Sequence, residues 1–290
     1  MNYIALNGWI YCGFGGEKKP REFIDWAAAK GLDGVELTVG DCLSVDTTEA
    51  EAAALAAYAK EKGVALRTLA CGAGWGKWLC ADDPAERAEA VEFTKKYLRL
   101  AKWLGAETVL TVPGATRVAW DASHAEVSYK SAWENATTSI RELAPVAESL
   151  GVNLALENVW NRFLISPMEW KLFLDQFGSK RVGLYFDAGN CCLNTNPADW
   201  PAILGDRIKA VHLKNFAETD CAGGLHGFGD DLFNGGVDFK RLFAAFDDTG
   251  YTGPFTVEMI PFSRLPDLVM PDPALAEKMV GQIKELKASR

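Results

Sequence analysis

Short apolar runs alternate along this chain with longer segments of helical period. Eight of the short runs are rich in β-branched, leucine and aromatic residues and are bounded by turn formers, which predicts strands. They are YIALN from Tyr3, DGVELTV from Asp33, VALRTLA from Val64, ETVLTVP from Glu107, VNLALEN from Val152, VGLYFD from Val182, IKAVHLK from Ile208 and PFTVEM from Pro254. The spacing predicts helices over Lys19–Lys30, Thr48–Lys62, Ala85–Leu104, Ser128–Leu150, Pro167–Gln176, Asp238–Asp248 and Pro273–Ala288, with a shorter one over Pro197–Leu204. Strands that read as nearly continuous hydrophobics are buried on both faces, as in a parallel sheet covered by helices.

The junctions agree with this alternation. KGLDG, KGVAL, LGAET, LGVNL and TGYTG each set a glycine between a helix and the next strand, where a C-cap needs it. SPMEW and NPADW place proline at the first helical position after a capping Ser or Asn. Eight strand-then-helix units in 290 residues match a single (β/α)8 TIM barrel over residues 1–290. A doubly wound open sheet is the competing architecture, and the lack of GxGxxG after the first strand argues against it. The glycine-rich stretch Ala222–Gly236 is too long for a barrel turn and reads as an active-site loop.

Four of the strand runs end on a polar residue: Glu157, Asp187, His212 and Glu258. Such a group at the end of a buried strand is costly unless something charged meets it there. Each has an ordinary alternative: a loop contact for Glu157, a turn cap for Asp187, an arginine partner for Glu258, a core position for His212. Their joint placement at the strand C-termini, where barrel active sites form, favours a site. Three carboxylates and one imidazole suit a single divalent cation of hard character. Glu36, Asn158, Trp160, Asn190, Lys214 and His226 are candidate substrate contacts around it, with Asn161 and Trp9 as weaker ones. Strand alternation puts Lys214 on the same side as His212. His124, in DASHAE, reads as a solvated residue.

Composition narrows the partners. A net charge of −9 argues against a nucleic acid, though not against a small phosphorylated ligand. No apolar run approaches the ~18 residues of a membrane span, and the N-terminus lacks a basic leader. Seven cysteines without a CxxC pair point to free thiols in a reducing cytoplasm.

The segments ALENVWNRFLISPMEW, GLYFDAGN, VHLKNF and GGVDFKRLFAAFDDTGYTGPFTVEMI resemble the xylose-isomerase-like barrel superfamily. The similarity is to its sugar and sugar-phosphate isomerase–epimerase branch, which includes ketose 3-epimerases and L-xylulose/L-ribulose 5-phosphate 3-epimerases. It covers most of the chain and is most specific from Gly151 to Pro261. The resemblance implies that Glu157, Asp187, His212 and Glu258 bind one cation, Mn²⁺, Mg²⁺ or Co²⁺, with Zn²⁺ also compatible. It further implies that Glu157 and Glu258 are the catalytic acid/base pair, that the ligand is a sugar or sugar phosphate, and that a homo-oligomer is compatible with the fold. Asn190 departs from the free-ketose enzymes, which carry a histidine three residues after the metal Asp, and resembles the pentulose-phosphate branch. Three histidines are too few for the multi-zinc endonuclease IV type.

The chemistry fits those residues. A proton next to a ketone is too weakly acidic for a free carboxylate, and a chelating dication lowers that barrier by stabilising the enediolate. Two carboxylates on opposite faces can then exchange the proton with inversion, giving 3-epimerisation. The same intermediate serves an aldose–ketose isomerase or an inosose-type dehydratase, and a non-catalytic carbohydrate-binding barrel is the alternative of another class.

Overall fold

Eight parallel strands close into a barrel in sequence order: β1 (Ile4–Asn7), β2 (Gly34–Val39), β3 (Thr68–Cys71), β4 (Thr108–Thr111), β5 (Asn153–Glu157), β6 (Val182–Asp187), β7 (Ile208–Leu213) and β8 (Phe255–Val257). This computed structural model describes residues 3–118, 126–218 and 224–289. Every strand falls on a run that the hydrophobic pattern marks, β3 extending one residue beyond its run to Cys71. The helices are α1 (Gly8–Cys12), α2 (Pro20–Lys30), α3 (Glu49–Glu61), α4 (Pro84–Leu104), α5 (Tyr129–Leu150), α6 (Pro167–Leu174), α7 (Trp200–Leu204), α8 (Phe239–Asp248) and α9 (Pro273–Ser289).

Helix α1 has no counterpart in the pattern, since one turn is too short to show a period. Asn7 caps it by accepting from the Trp9 amide. The expected Pro197–Leu204 helix divides into a 3₁₀ turn, Pro197–Asp199, and α7. Helix α5 ends at Gly151, whose left-handed backbone (φ 70°) returns its N–H to the Ala147 and Glu148 carbonyls and turns the chain into β5. Among the described residues no helix is long and apolar enough to cross a membrane, and six cysteines are free and buried; Cys221 lies outside them.

Side-chain alternation sorts the strands into two layers. Val35, Leu37, Leu154, Leu156, Leu184, Phe186, Val211 and Leu213 point outward into the large core under the helices. Ala70, Leu110, Ala155, Tyr185 and Ala210 point inward and form a smaller cluster with Trp9 and Ile260. The inner wall also holds the buried polar residues Asn7, Glu36, Thr38, Thr68, Thr108 and Thr256. A polar interior leading to the C-terminal mouth is the setting of the site.

One irregularity aligns that site. Between β6 and β7 the register steps from Leu184↔Ile208 to Tyr185↔Ala210, which leaves Lys209 as an extra residue and brings Asp187 opposite His212. Without the step Asp187 would face Val211, and the imidazole would point into the outer core. Gly183 permits the close approach. A Cβ there would collide with the Arg207 carbonyl oxygen and crowd the Lys209 side chain.

Candidate metal centre

Glu157 closes β5, Asp187 closes β6, His212 is the penultimate residue of β7, and Glu258 follows β8 directly. One donor atom from each lies within 4.8 Å of every other. From His212 Nδ1 the distances are 3.4 Å to Glu157 Oε1, 3.7 Å to Glu258 Oε2 and 3.9 Å to Asp187 Oδ2. Asp187 and His212 are wholly buried, and the two glutamates are buried except for a small face toward the mouth. The structure thus brings together the four residues singled out by the strand-end pattern.

Two atoms in this cluster bear on what it could hold. His212 Nδ1 and Asp187 Oδ2 are buried without a hydrogen-bond partner. Orphaned buried polar atoms are expensive, and here both face a common point ringed by carboxylate oxygens. With His212 protonated, four buried carboxylates, Glu36 included, face two cationic side chains, so negative charge is in excess. A donor set of this kind fits one divalent cation.

The surrounding contacts fix each donor. Nε2 of His212 lies 2.7 Å from Glu36 Oε1, so the other ring nitrogen is the one presented to the cluster. Glu36 also accepts from Asn7 Nδ2 at 2.8 Å and from the Tyr185 hydroxyl. Asp187 is clasped through Asn158, whose side chain accepts from the Asp187 amide and donates to its carbonyl, both at 2.8 Å. Asn190 donates its amide to Asp187 Oδ1 at 2.8 Å and its side chain to the Asn158 carbonyl at 3.0 Å. Lys214 donates to Glu258 Oε2 at 2.8 Å and stands 3.7 Å from Asp187 Oδ2, with its ammonium 4.7 Å from the Phe228 ring centre.

The electrostatics follow from burial and crowding. Burial pushes the Glu157 carboxyl up to about 7; His212 relieves part of this and Glu258 adds to it. Burial likewise brings Asp187 up to about 6, with Lys214 opposing and Glu258 reinforcing. Burial alone would discharge His212 and Lys214. Glu36 and Glu258 outweigh it for the imidazole, and Glu258, Asp187 and Glu157 outweigh it for the ammonium, so both are held protonated above their usual range. Glu36 shows the reverse: burial favours its neutral form, but the His212 charge and hydrogen bond prevail and lower its pKa.

A cavity of about 610 Å³ opens from this cluster. Glu157, Glu258, Lys214, Asn190 and Trp160 line it, and Trp9 does so from the other half of the mouth. Three expected substrate contacts are placed elsewhere. Glu36 is not the end of β2 but its third residue, deep under the imidazole. Asn158 is engaged in the clasp on Asp187, and His226 is exposed, outside the cavity lining of the described residues. Asn161 is a buried brace that donates to the Gly114 carbonyl at 2.7 Å. His124 lies outside the described residues, as do Ala222 and Gly223 of the glycine-rich loop. From the rest of that loop Leu225 and Phe228 join the cavity wall, and Phe228 packs against Trp160, Phe216 and Phe262. Tyr185 and Asn7 escaped the sequence reading, because an aromatic in an apolar strand and an Asn before a turn both have commonplace explanations.

A closed parallel barrel with an acidic, imidazole-bearing pocket at its C-terminal mouth defines the class: a TIM barrel whose buried Glu/Asp/His cluster could hold one metal ion. Residues 24–286 match the family described as xylose isomerase-like TIM barrel, and the chain belongs to that family. It is 30% identical over 240 residues to SgbU of Escherichia coli (strain K12), provisionally named L-ribulose-5-phosphate 3-epimerase, covering 80% of this chain and 81% of that one. It is 28% identical over 198 residues to the D-psicose 3-epimerase of Enterocloster bolteae (strain ATCC BAA-613), a match spanning 67% of this chain and 64% of that protein. The D-psicose 3-epimerase of Clostridium cellulolyticum H10, solved with D-tagatose, superposes with a TM-score of 0.78 at 18% identity, over 99% of this chain and 98% of that one.

Proposed function

We propose that this protein is a divalent-cation-dependent epimerase that inverts the carbon next to the carbonyl of a ketose or ketose phosphate. The observation that carries the reading is the pair Glu157 and Glu258, on either side of Asp187 and His212 and both exposed to the same cavity. The epimerase names of the relatives support it.

Glu157, Asp187, His212 and Glu258 would hold the ion, for which Mn²⁺, Co²⁺ or Mg²⁺ suits three oxygens and one nitrogen. Such an ion would supply Lewis-acid polarisation of the substrate carbonyl, which would acidify the adjacent C–H. One glutamate then takes the proton from that carbon, and the electron pair of the broken C–H bond moves into the enediolate. The other glutamate, protonated, delivers its proton to the opposite face, and the carbon returns inverted. Lys214 keeps Glu258 oriented through its 2.8 Å hydrogen bond. Trp160, Phe228 and Trp9 shield the reacting end from bulk water.

Deuterium wash-in tests the reading. With Mn²⁺ and D-fructose in heavy water, deuterium should enter at C3 and D-psicose should form. Deuterium at C1 with aldose formation would point instead to an aldose–ketose isomerase. Tight sugar binding without any exchange would identify a carbohydrate-binding barrel.

A further inference from the structure

The cavity divides into two halves of different character. Its reacting half is built from the ends of β5 to β8. The opposite half comes from the loops after β1 to β3, with Trp9, Phe14, Asp41 and Trp75 in its wall, and Leu265 beside them. At about 610 Å³ the space is about three times what one ketohexose displaces, on the order of 200 Å³ or about seven waters. The aromatic half of the lining faces this space across from the reacting end. Trp9 and Phe14 stand with ring centres 6.4 Å apart and tilted by 39°, a broad apolar face of the kind that receives the C–H face of a sugar ring.

Charge in the cavity is one-sided. Among the described residues of the lining, Lys214 is the one cation, and Glu258 already engages it at 2.8 Å. Residues 119–125 and 219–223 contain no lysine or arginine. The aromatic half carries a carboxylate, Asp41, half-buried and held by the Trp9 indole N–H at 2.7 Å. A phosphate group is normally met by Arg or Lys donors. Here a phosphate at the end of the substrate remote from the carbonyl would be desolvated opposite an acid, which is costly. Sugar hydroxyls, in contrast, are donors that Asp41 can accept from.

We infer that the substrate is an uncharged ketose bearing a second ring, a glycosyl group, at its end remote from the carbonyl, and that Asp41 is the residue that selects against phosphate. This rests on the epimerase reading above. The second ring lies along Trp9, Phe14 and Trp75, and its hydroxyls reach Asp41.

Three probes that share one reacting end and differ only at O6 test this: D-fructose, D-fructose 6-phosphate and 6-O-α-D-glucosyl-D-fructose, each assayed with Mn²⁺ for deuterium exchange at C3. The expected order of kcat/KM places the glucosyl compound at least tenfold above D-fructose and the phosphate at least tenfold below it. D41N should shrink the phosphate penalty several-fold, and F14A should shrink the glucosyl advantage; a Mn²⁺ titration of each variant confirms that the site is intact. Exchange in which the phosphate equals or exceeds the glucosyl compound overturns the inference while leaving the epimerase reading standing. If none of the three exchanges, but calorimetry shows the glucosyl compound binding more tightly than the phosphate, the epimerase reading fails and the assignment of the cavity stands.

Discussion

Whether His212 can serve as a ligand depends on Glu36. The carboxylate fixes Nε2, and with it the ring orientation that turns Nδ1 toward Asp187 and the two glutamates. The strand-end pattern picked out the four donors because a charged residue interrupting an apolar run is conspicuous. It marked a strand running to Val39, with Glu36 inside it, but could not show that this position lies at the depth of the imidazole rather than at the substrate. Depth inside a barrel depends on where the hydrogen-bonded wall stops, and one strand's sequence does not carry that. Glu36→Gln keeps the shape and removes the charge. It should weaken Mn²⁺ binding by roughly 10–100-fold, as the loss of a ligand's hydrogen-bonding partner does, measured by calorimetric titration. Unchanged affinity would show that the imidazole needs no such support. Glu157→Gln and Glu258→Gln act on the chemistry itself. At saturating Mn²⁺ each should lower C3 exchange by about 10²–10⁴-fold, and an exchange rate like the unmodified protein's would remove that residue from the acid/base pair.

At the scale of elements, the β6–β7 step does what no single residue does: it sets Asp187 and His212 on the same face at the same height. Alternation along IKAVHLK is readable, and it does place His212 and Lys214 together. The extra residue at Lys209 is not readable, because it arises from how two strands 20 or more residues apart pair. Gly183 is its local requirement, as the Arg207 carbonyl occupies the space a side chain would need. Gly183→Ala should therefore cost about 1–3 kcal/mol by overpacking. At roughly 2–4 °C per kcal/mol for a chain of this size, Tm should fall by several degrees. Mn²⁺ affinity should fall with it, because the distortion is passed along β6 to Asp187. A variant with unaltered melting and affinity would show that the two strands can pair without the step. The glycine-rich loop shows the same division. Its glycines and apolar residues predicted a role at the mouth, and Leu225 and Phe228 are there. The outward direction of His226 follows from the 3₁₀ turn Leu225–Gly227, which composition does not reveal.

For the molecule as a whole, the site is a stability liability until a cation arrives, and pH sets its size. Burial raises Glu157 from 4.5 to about 7 and Asp187 from 3.8 to about 6, so the ion-free fold binds more protons than the unfolded chain between about pH 4 and 7. Stability from these two groups is thus present at low pH and lost as pH rises through that window. His212 acts in the same direction: its folded pKa lies above 6.5, so its contribution is also lost on going alkaline, beyond the carboxylates' window. A divalent cation competes with these protons for the same atoms. Its stabilising effect should accordingly be small at pH 5 and grow toward pH 8. With the ion at 100 times its Kd, binding contributes about 2.7 kcal/mol, which for a chain of this length raises Tm by roughly 5–10 °C. Thermal melts with and without Mn²⁺ across pH 5 to 8 measure the difference directly and cancel the exposed ion pairs, which titrate alike in both samples. A gain in Tm that stays constant over this range would mean that the ion does not displace protons from Glu157, Asp187 and His212, and so binds elsewhere.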